Sequence, residues 1–331
     1  MSEFTVEIAD LRGWAAQTGR SGTHLFEAHN FAVRNINDAD FGRIMNLIKG
    51  DYEKILPALH AVLLASNENM DKAKRALEIS ADEYVNADRN FAKSFADLDA
   101  GINVTVTDDG VANGFDDLSG PTAYLKDPSS RAKEIPTVSF GILWDRVCDL
   151  LVLLGASDPR EEVAKLLAGD TMKASRQADA WRMLAELIDD VDANLASGQT
   201  SISKTWKGNA ANSASAHFGA WKTKFENLES VMRKVAQALD DAAEQAVNLA
   251  QNITDAFVLI VSVIAAGFTK ASIPLYGQAY LAKKGWEAIQ LYKGVITVLN
   301  VFFTLLRSIV NLFISGVSEF SRESLPNPPQ V

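Results

Sequence analysis

The chain has 331 residues, 47% of them hydrophobic and 22% charged, which is ordinary for a folded protein of two or three domains and speaks against disorder. A net charge of −10, with no basic stripe interleaved with aromatics, argues against a nucleic-acid partner. The charge is uneven: residues 256–331 hold six Lys or Arg against three acids and residues 1–255 hold 26 against 39, so the tail is +3 and the body −13. Cys148 is the single cysteine, sits in an apolar run and reads as a buried thiol. Met1 to Gly13 lacks a basic segment followed by an apolar core, so an ordinary signal peptide is not expected and export would need another route.

Residues 5–35 read as a first helix, with Ile8, Leu11, Trp14, Leu25, Ala28 and Ala32 on one side and Gly19 and Gly22 expected to loosen it. The run Asn35-Ile-Asn-Asp-Ala-Asp40 is rich in turn and capping residues, so the chain is expected to reverse there. A second long helix keeps its apolar period from Tyr52 through Ile55, Leu59, Val62, Met70, Leu77, Tyr84 and Phe91 to Leu98, with Pro57 placed to kink it early. The period disappears from Gly101 to Pro136, where seven Gly or Pro residues punctuate a linker with a short extended piece at Ile102 to Val106. Val138 to Leu154 reads as a buried helix, and Asp158-Pro-Arg-Glu161 as the capped start of the next.

Trp206, Lys207 and Gly208 then separate two amphipathic stretches. Upstream the stripe runs Trp181, Leu184, Ile188, Val191, Leu195 and Ile202; downstream it runs Phe218, Trp221, Phe225, Leu228, Met232, Val235 and on to Leu249. Glycine adopts backbone angles that close a tight corner, and the tryptophan lays a large apolar surface across the open end of the hairpin. After Asn252 come long apolar stretches, Ala256 to Phe268 and Val295 to Leu306, the latter continuing past Arg307 to Val317; neither reaches the roughly 20 uninterrupted apolar residues of a simple membrane span. Pro274 and Gly277 are expected to divide two helices folding back as a hairpin, and Ser324 to Val331 reads as a frayed end. The expected organisation is therefore all-α: a hairpin at 1–100, a linker at 101–136, a second hairpin domain at 137–255, and an apolar, basic helical region at 256–331. The two hairpins form an elongated four-helix bundle in this reading, because each buries the apolar face that the other leaves uncovered.

Trp206-Lys-Gly208 between two long helices, followed by Asn209-Ala-Ala-Asn212, resembles the hallmark of the WXG family of type VII (ESX) secretion substrates of actinobacteria and related bacteria. The first hundred residues resemble a second kind of substrate hairpin, whose second helix ends in a Tyr-x-x-x-Asp/Glu export signal, here Tyr84-Val-Asn-Ala-Asp88. That tetrad is weak by itself, since Tyr84 also fits a core stripe and Asp88 a solvated helix face. The order of the two hairpins is similar to that of proline-glutamate and proline-proline-glutamate partner proteins fused in one chain, although the named proline-glutamate starts are missing. The resemblance covers about residues 1–100 and 156–255. It implies that Tyr84 and Asp88 come near Trp206 and Gly208 at one tip as a composite secretion signal for the export ATPase machinery. It further implies synthesis in the cytoplasm, export to the cell surface or medium by a non-Sec route, and action by protein contacts or self-assembly with a helical partner.

No catalytic constellation is read from the sequence: His24, His29, His60 and His217 lack metal-ligand spacing, no glycine-rich phosphate loop is present, and acid pairs such as Asp189-Asp190 read as solvated faces. No enzyme activity, cofactor or metal is expected. The 256–317 region leaves two readings open, soluble packing or oligomerisation, which is favoured, and membrane contact with Tyr276, Tyr280, Trp286, Lys283 and Lys284 at an interface. A membrane-inserting or pore-forming protein and a cytoplasmic scaffold or export chaperone are the competing functional classes.

Overall fold

The computed structural model describes residues 4–95, 104–107, 110–135, 169–270, 277–327 and 329. The expected helix at 138–154, with Cys148, and the helix start at Asp158 lie outside the described residues. Within them the fold is all-α: apart from two four-residue strands, β1 (Phe4–Glu7) and β2 (Val104–Thr107), the regular elements are helical. The long helices are α1 (Ile8–Asn35), α2 (Asn46–Phe95), α3 (Thr171–Thr205), α4 (Asn209–Lys270) and α5 (Gly277–Glu319).

α1 follows directly from β1, and the Glu7 carboxylate accepts from the Ala9 N–H as its cap. Gly19 and Gly22, expected to loosen this helix, lie inside it because α2 approaches there: a Cβ would fall 2.8 Å from Lys74 Cδ and 3.2 Å from Met70 Cβ. The reversal after Asn35 is built from aspartates accepting main-chain N–H groups, Asp40 to Asp38 at 2.8 Å and Gly42 to Asp40 at 3.0 Å. α2 then runs about 75 Å at ~1.5 Å per residue, with Pro57 in its interior.

The helices pack in a closed circuit. α1 lies on α2 and α3, α3 on α4, α4 on α5, and α5 returns to α2. At its centre the buried Tyr52 hydroxyl of α2 accepts from the Trp181 indole of α3 at 2.8 Å and donates to Gln177 at 2.6 Å, while Phe313 of α5 packs on the Tyr52 ring at 5.3 Å. Burial pushes the Tyr52 hydroxyl well above its ordinary pKa, so it is a neutral donor and acceptor with both roles filled.

The sequence reading leaves the C-terminal hairpin between soluble packing, which it favours, and membrane contact, without saying which surface it covers. The downstream half of α5 is part of the bundle, with Phe302, Leu306, Ile309 and Phe313 buried at three- and four-residue spacing. Phe320, just past the helix, packs at a tilt on Trp181, with ring centroids 5.6 Å apart. The buried Lys224 ammonium donates to the Glu319 carbonyl and the Ser324 hydroxyl, tying down a carbonyl that the helix end leaves without an intrahelical partner. The change of composition at residue 256 falls inside continuous α4.

Residues 110–135 are an irregular strap along α3, running opposite to it. Asn194 accepts from the Leu118 N–H at 2.7 Å, Asp179 from Ser129 at 2.8 Å, Ser175 from Arg131 at 2.9 Å, and Thr171 donates to the Lys133 carbonyl at 2.8 Å. All four side chains are buried, and the strap's main chain supplies the partners that burial requires.

Candidate functional site

The corner between α3 and α4 is built from local chemistry. Trp206 caps α3 in extended geometry with its N–H on the Ile202 carbonyl at 2.9 Å, and Gly208 has φ +124°, a backbone that side-chained residues rarely adopt. Between them Lys207 leaves the helical path, and its N–H donates to the Thr5 carbonyl of β1 at 2.8 Å as an antiparallel bridge. β1 in turn pairs in parallel with β2, Phe4 to Val104 through Glu7 to Thr107. β1 is thus held between the linker strand and the Trp-Lys-Gly corner.

Trp206 is buried, and its cover comes from the N-terminal hairpin of the same chain. Its indole N–H points to the Tyr84 hydroxyl of α2 at 3.4 Å, with ring centroids 6.5 Å apart at 78°. Trp14 of α1 meets it edge-on at 6.4 Å, and Phe218 of α4 lies 4.4 Å from Trp14. Four aromatic rings from α1, α2, the corner and α4 therefore form one cluster. Polar contacts frame it: Thr205 donates to Asp10 at 2.7 Å, the other Asp10 oxygen accepts from the Asn113 N–H at 3.2 Å, and Arg12 pairs with Asp82 at 3.3 Å.

Gly198 permits this approach. A Cβ there would sit 1.9 Å from Gln17 Oε1 and 2.8 Å from Trp14 Cδ1, so α1 reaches α3 only because position 198 carries no side chain.

Of the four residues singled out in the sequence, Tyr84, Trp206 and Gly208 are brought to one tip. Asp88 is one helical turn beyond Tyr84 on α2, and its side chain lies outside the described residues. Beside the cluster a groove of about 500 Å³ runs between α2 (Ala73 to Glu83) and the start of α4 (Ala210 to Phe218), with Trp206 in its wall and Pro329 of the C-terminal segment against it. His217 lines it, and burial holds that imidazole below its ordinary pKa, favouring the neutral form. Trp14 and Phe218 carry core spacing in the sequence, so nothing in their pattern marks them as Trp206 partners; that follows from the docking of one hairpin on the other. The Thr5 to Lys207 bridge is main-chain pairing and leaves no side-chain signature.

The other histidines lie apart: His24 contacts Asp117 at 3.3 Å, and His29 and His60 meet edge-on at 6.0 Å. Among the described residues no group of three or more His, Cys, Asp or Glu could hold a metal ion. No family model, curated protein or solved structure matches the chain.

Proposed function

We propose that this chain is a non-enzymatic substrate of a type VII (ESX) secretion system, synthesised in the cytoplasm and exported as a folded helical bundle to the surface or medium by a non-Sec route. The observation that carries the reading is the Trp206 indole against the Tyr84 hydroxyl, two motif residues 122 positions apart brought to one tip. In this reading Trp206, itself buried, acts as the clamp that holds the two hairpins together. The half-exposed Tyr84, Asp88 one turn on, and the Lys207-Gly208 corner form the surface offered to the export ATPase machinery. Fusion of both hairpins in one chain supplies the second at high effective concentration, so the signal forms without a separate partner. After export the protein acts through protein contacts or self-assembly.

The test compares culture filtrates from strains with and without the export ATPase, for wild type, Tyr84→Ala and Trp206→Tyr. Export of the wild type that depends on the ATPase, and falls in both variants while circular dichroism retains the helical signal, supports the reading. Export unchanged by both substitutions refutes it.

A further inference from the structure

The far end of α4 and α5 is the largest feature that the secretion reading leaves unused. Ser175, near the start of α3, donates to Asp240 of α4 at 2.8 Å, so α4 passes the start of α3 close to Glu244. From there to Lys270 it extends about 39 Å at ~1.5 Å per residue. Tyr52, near the start of α2, packs on Phe313, so the α5 residues well upstream of Arg307 have α4 as their described helical neighbour. Along this projection the buried residues Ile253 and Val295 line the seam between the two helices. The outward residues are apolar and open: Val258 is 43% exposed, Leu259 52%, Trp286 63% and Val301 66%.

The register of the pair decides what this surface suits. Asn252, Ile253, Ala256 and Val263 of α4 face Trp286, Gln290, Leu291 and Val295 of α5 across one groove, and Asn248 and Leu249 face Val301 and Phe302 across the next. The described uncharged residues of α4, 256–263, therefore lie opposite the part of α5 that carries Glu287 and its ion-pair partner Lys284. The uncharged stretch of α5, residues 294–306, lies opposite the amides Gln245, Asn248 and Asn252. The two apolar stretches are staggered, and among the described residues no bilayer-thick level of the pair is apolar on both helices. Crossing the hydrocarbon would carry ammonium and carboxylate groups into it at a cost that an interfacial position avoids. Lys283, Trp286 and Lys293 are all exposed and recur at three- and seven-residue spacing on one face of α5, an aromatic ring between two cations. The whole 256–331 region is +3 on a chain whose remainder is −13, so attraction to an anionic surface is confined to this end.

We propose that the projecting part of α4 and α5 docks on an anionic lipid surface, lying in the headgroup interface through Val258, Leu259 and Trp286 with Lys283 and Lys293 on lipid phosphates. The proposal concerns the folded protein in the presence of lipid and does not rest on the export reading. The experiment floats the purified full chain with vesicles of phosphatidylcholine alone, or mixed with phosphatidylglycerol and loaded with carboxyfluorescein. Binding to the mixed vesicles only, weakened by high salt and without dye release, is expected. The paired substitutions Leu259→Glu with Trp286→Ser, and separately Lys283→Glu with Lys293→Glu, should each weaken binding by roughly tenfold or more. These positions are exposed, so the helical signal should stay intact, and the charge-reversal pair serves if the first pair fails to fold. Absence of flotation, flotation undiminished in both variants, or release of the dye would each overturn the proposal; self-association without flotation would assign the face to a second copy instead.

Discussion

The two ends of α4 carry similar apolar spacing into opposite surroundings. Near the corner Phe218, Trp221 and Phe225 are buried, because α3 lies alongside at that level and α1 brings Trp14 against Phe218. At the other end Val258 and Leu259 face outward, because α3 has already begun and α4 continues past it. Amphipathic spacing specifies which residues form a stripe. What covers the stripe depends on whether another element reaches the same height, which is a property of helix lengths and register.

The sharpest way to break this comparison is to remove one tryptophan from each end. Trp206→Ala should cost about 3–5 kcal/mol, since it leaves a cavity among Trp14, Tyr84 and Phe218, whereas Trp286→Ala should change stability in water by less than about 0.5 kcal/mol. Urea denaturation followed by circular dichroism measures both, and equal losses would mean that the far end is covered too. Gly198→Ala sharpens the role of close approach at the corner. The added methyl must displace Gln17 and press on Trp14, so a loss of about 1–3 kcal/mol is expected in the same assay.

Asp179→Ala tests the strap. It strips the Ser129 N–H and hydroxyl of their acceptor and should cost about 1–2 kcal/mol, with limited proteolysis opening residues 110–135 before the helices are cut. The smallest expected effect concerns pH. His60 is held below its ordinary value, by burial first and by His29 beside it, against the opposing bond to the Ile36 carbonyl. A depressed histidine takes its proton more readily in the unfolded chain, so its contribution to stability is full above about pH 6.5 and is lost as pH falls toward the folded value. The melting temperature should therefore drop less between about pH 7 and pH 5 in His60→Gln than in wild type. Identical slopes would show that His60 titrates alike in both states.

Much of the helical content was legible because long three- and four-residue stripes admit few other structures, as from Trp181 to Leu195 and from Phe218 to Leu249. The corner was legible too, since Trp206 and Gly208 interrupt two such stripes and only glycine suits the backbone found there. The strap was read as a linker because it has no period; its order comes from Asn194, Asp179 and Ser175, polar residues whose partners lie more than forty positions away. The place of α5 was left open for a related reason. Val295 to Val317 is apolar enough to suit a core, a partner or a membrane, and only the level at which Phe313 meets Tyr52 divides it into a covered half and an open one.

The sequence by itself determined the local matters: which stretches are helical, where glycine and tryptophan turn the chain, and which faces are apolar, because backbone sterics and side-chain periodicity act within a few residues. The tertiary structure decided which faces meet, that Tyr84 and Trp14 close over Trp206, that α5 completes the circuit on α2, and that Val258, Leu259 and Trp286 stay exposed. These depend on helix lengths and register across more than a hundred residues, and no local pattern encodes the height at which two distant segments stop overlapping.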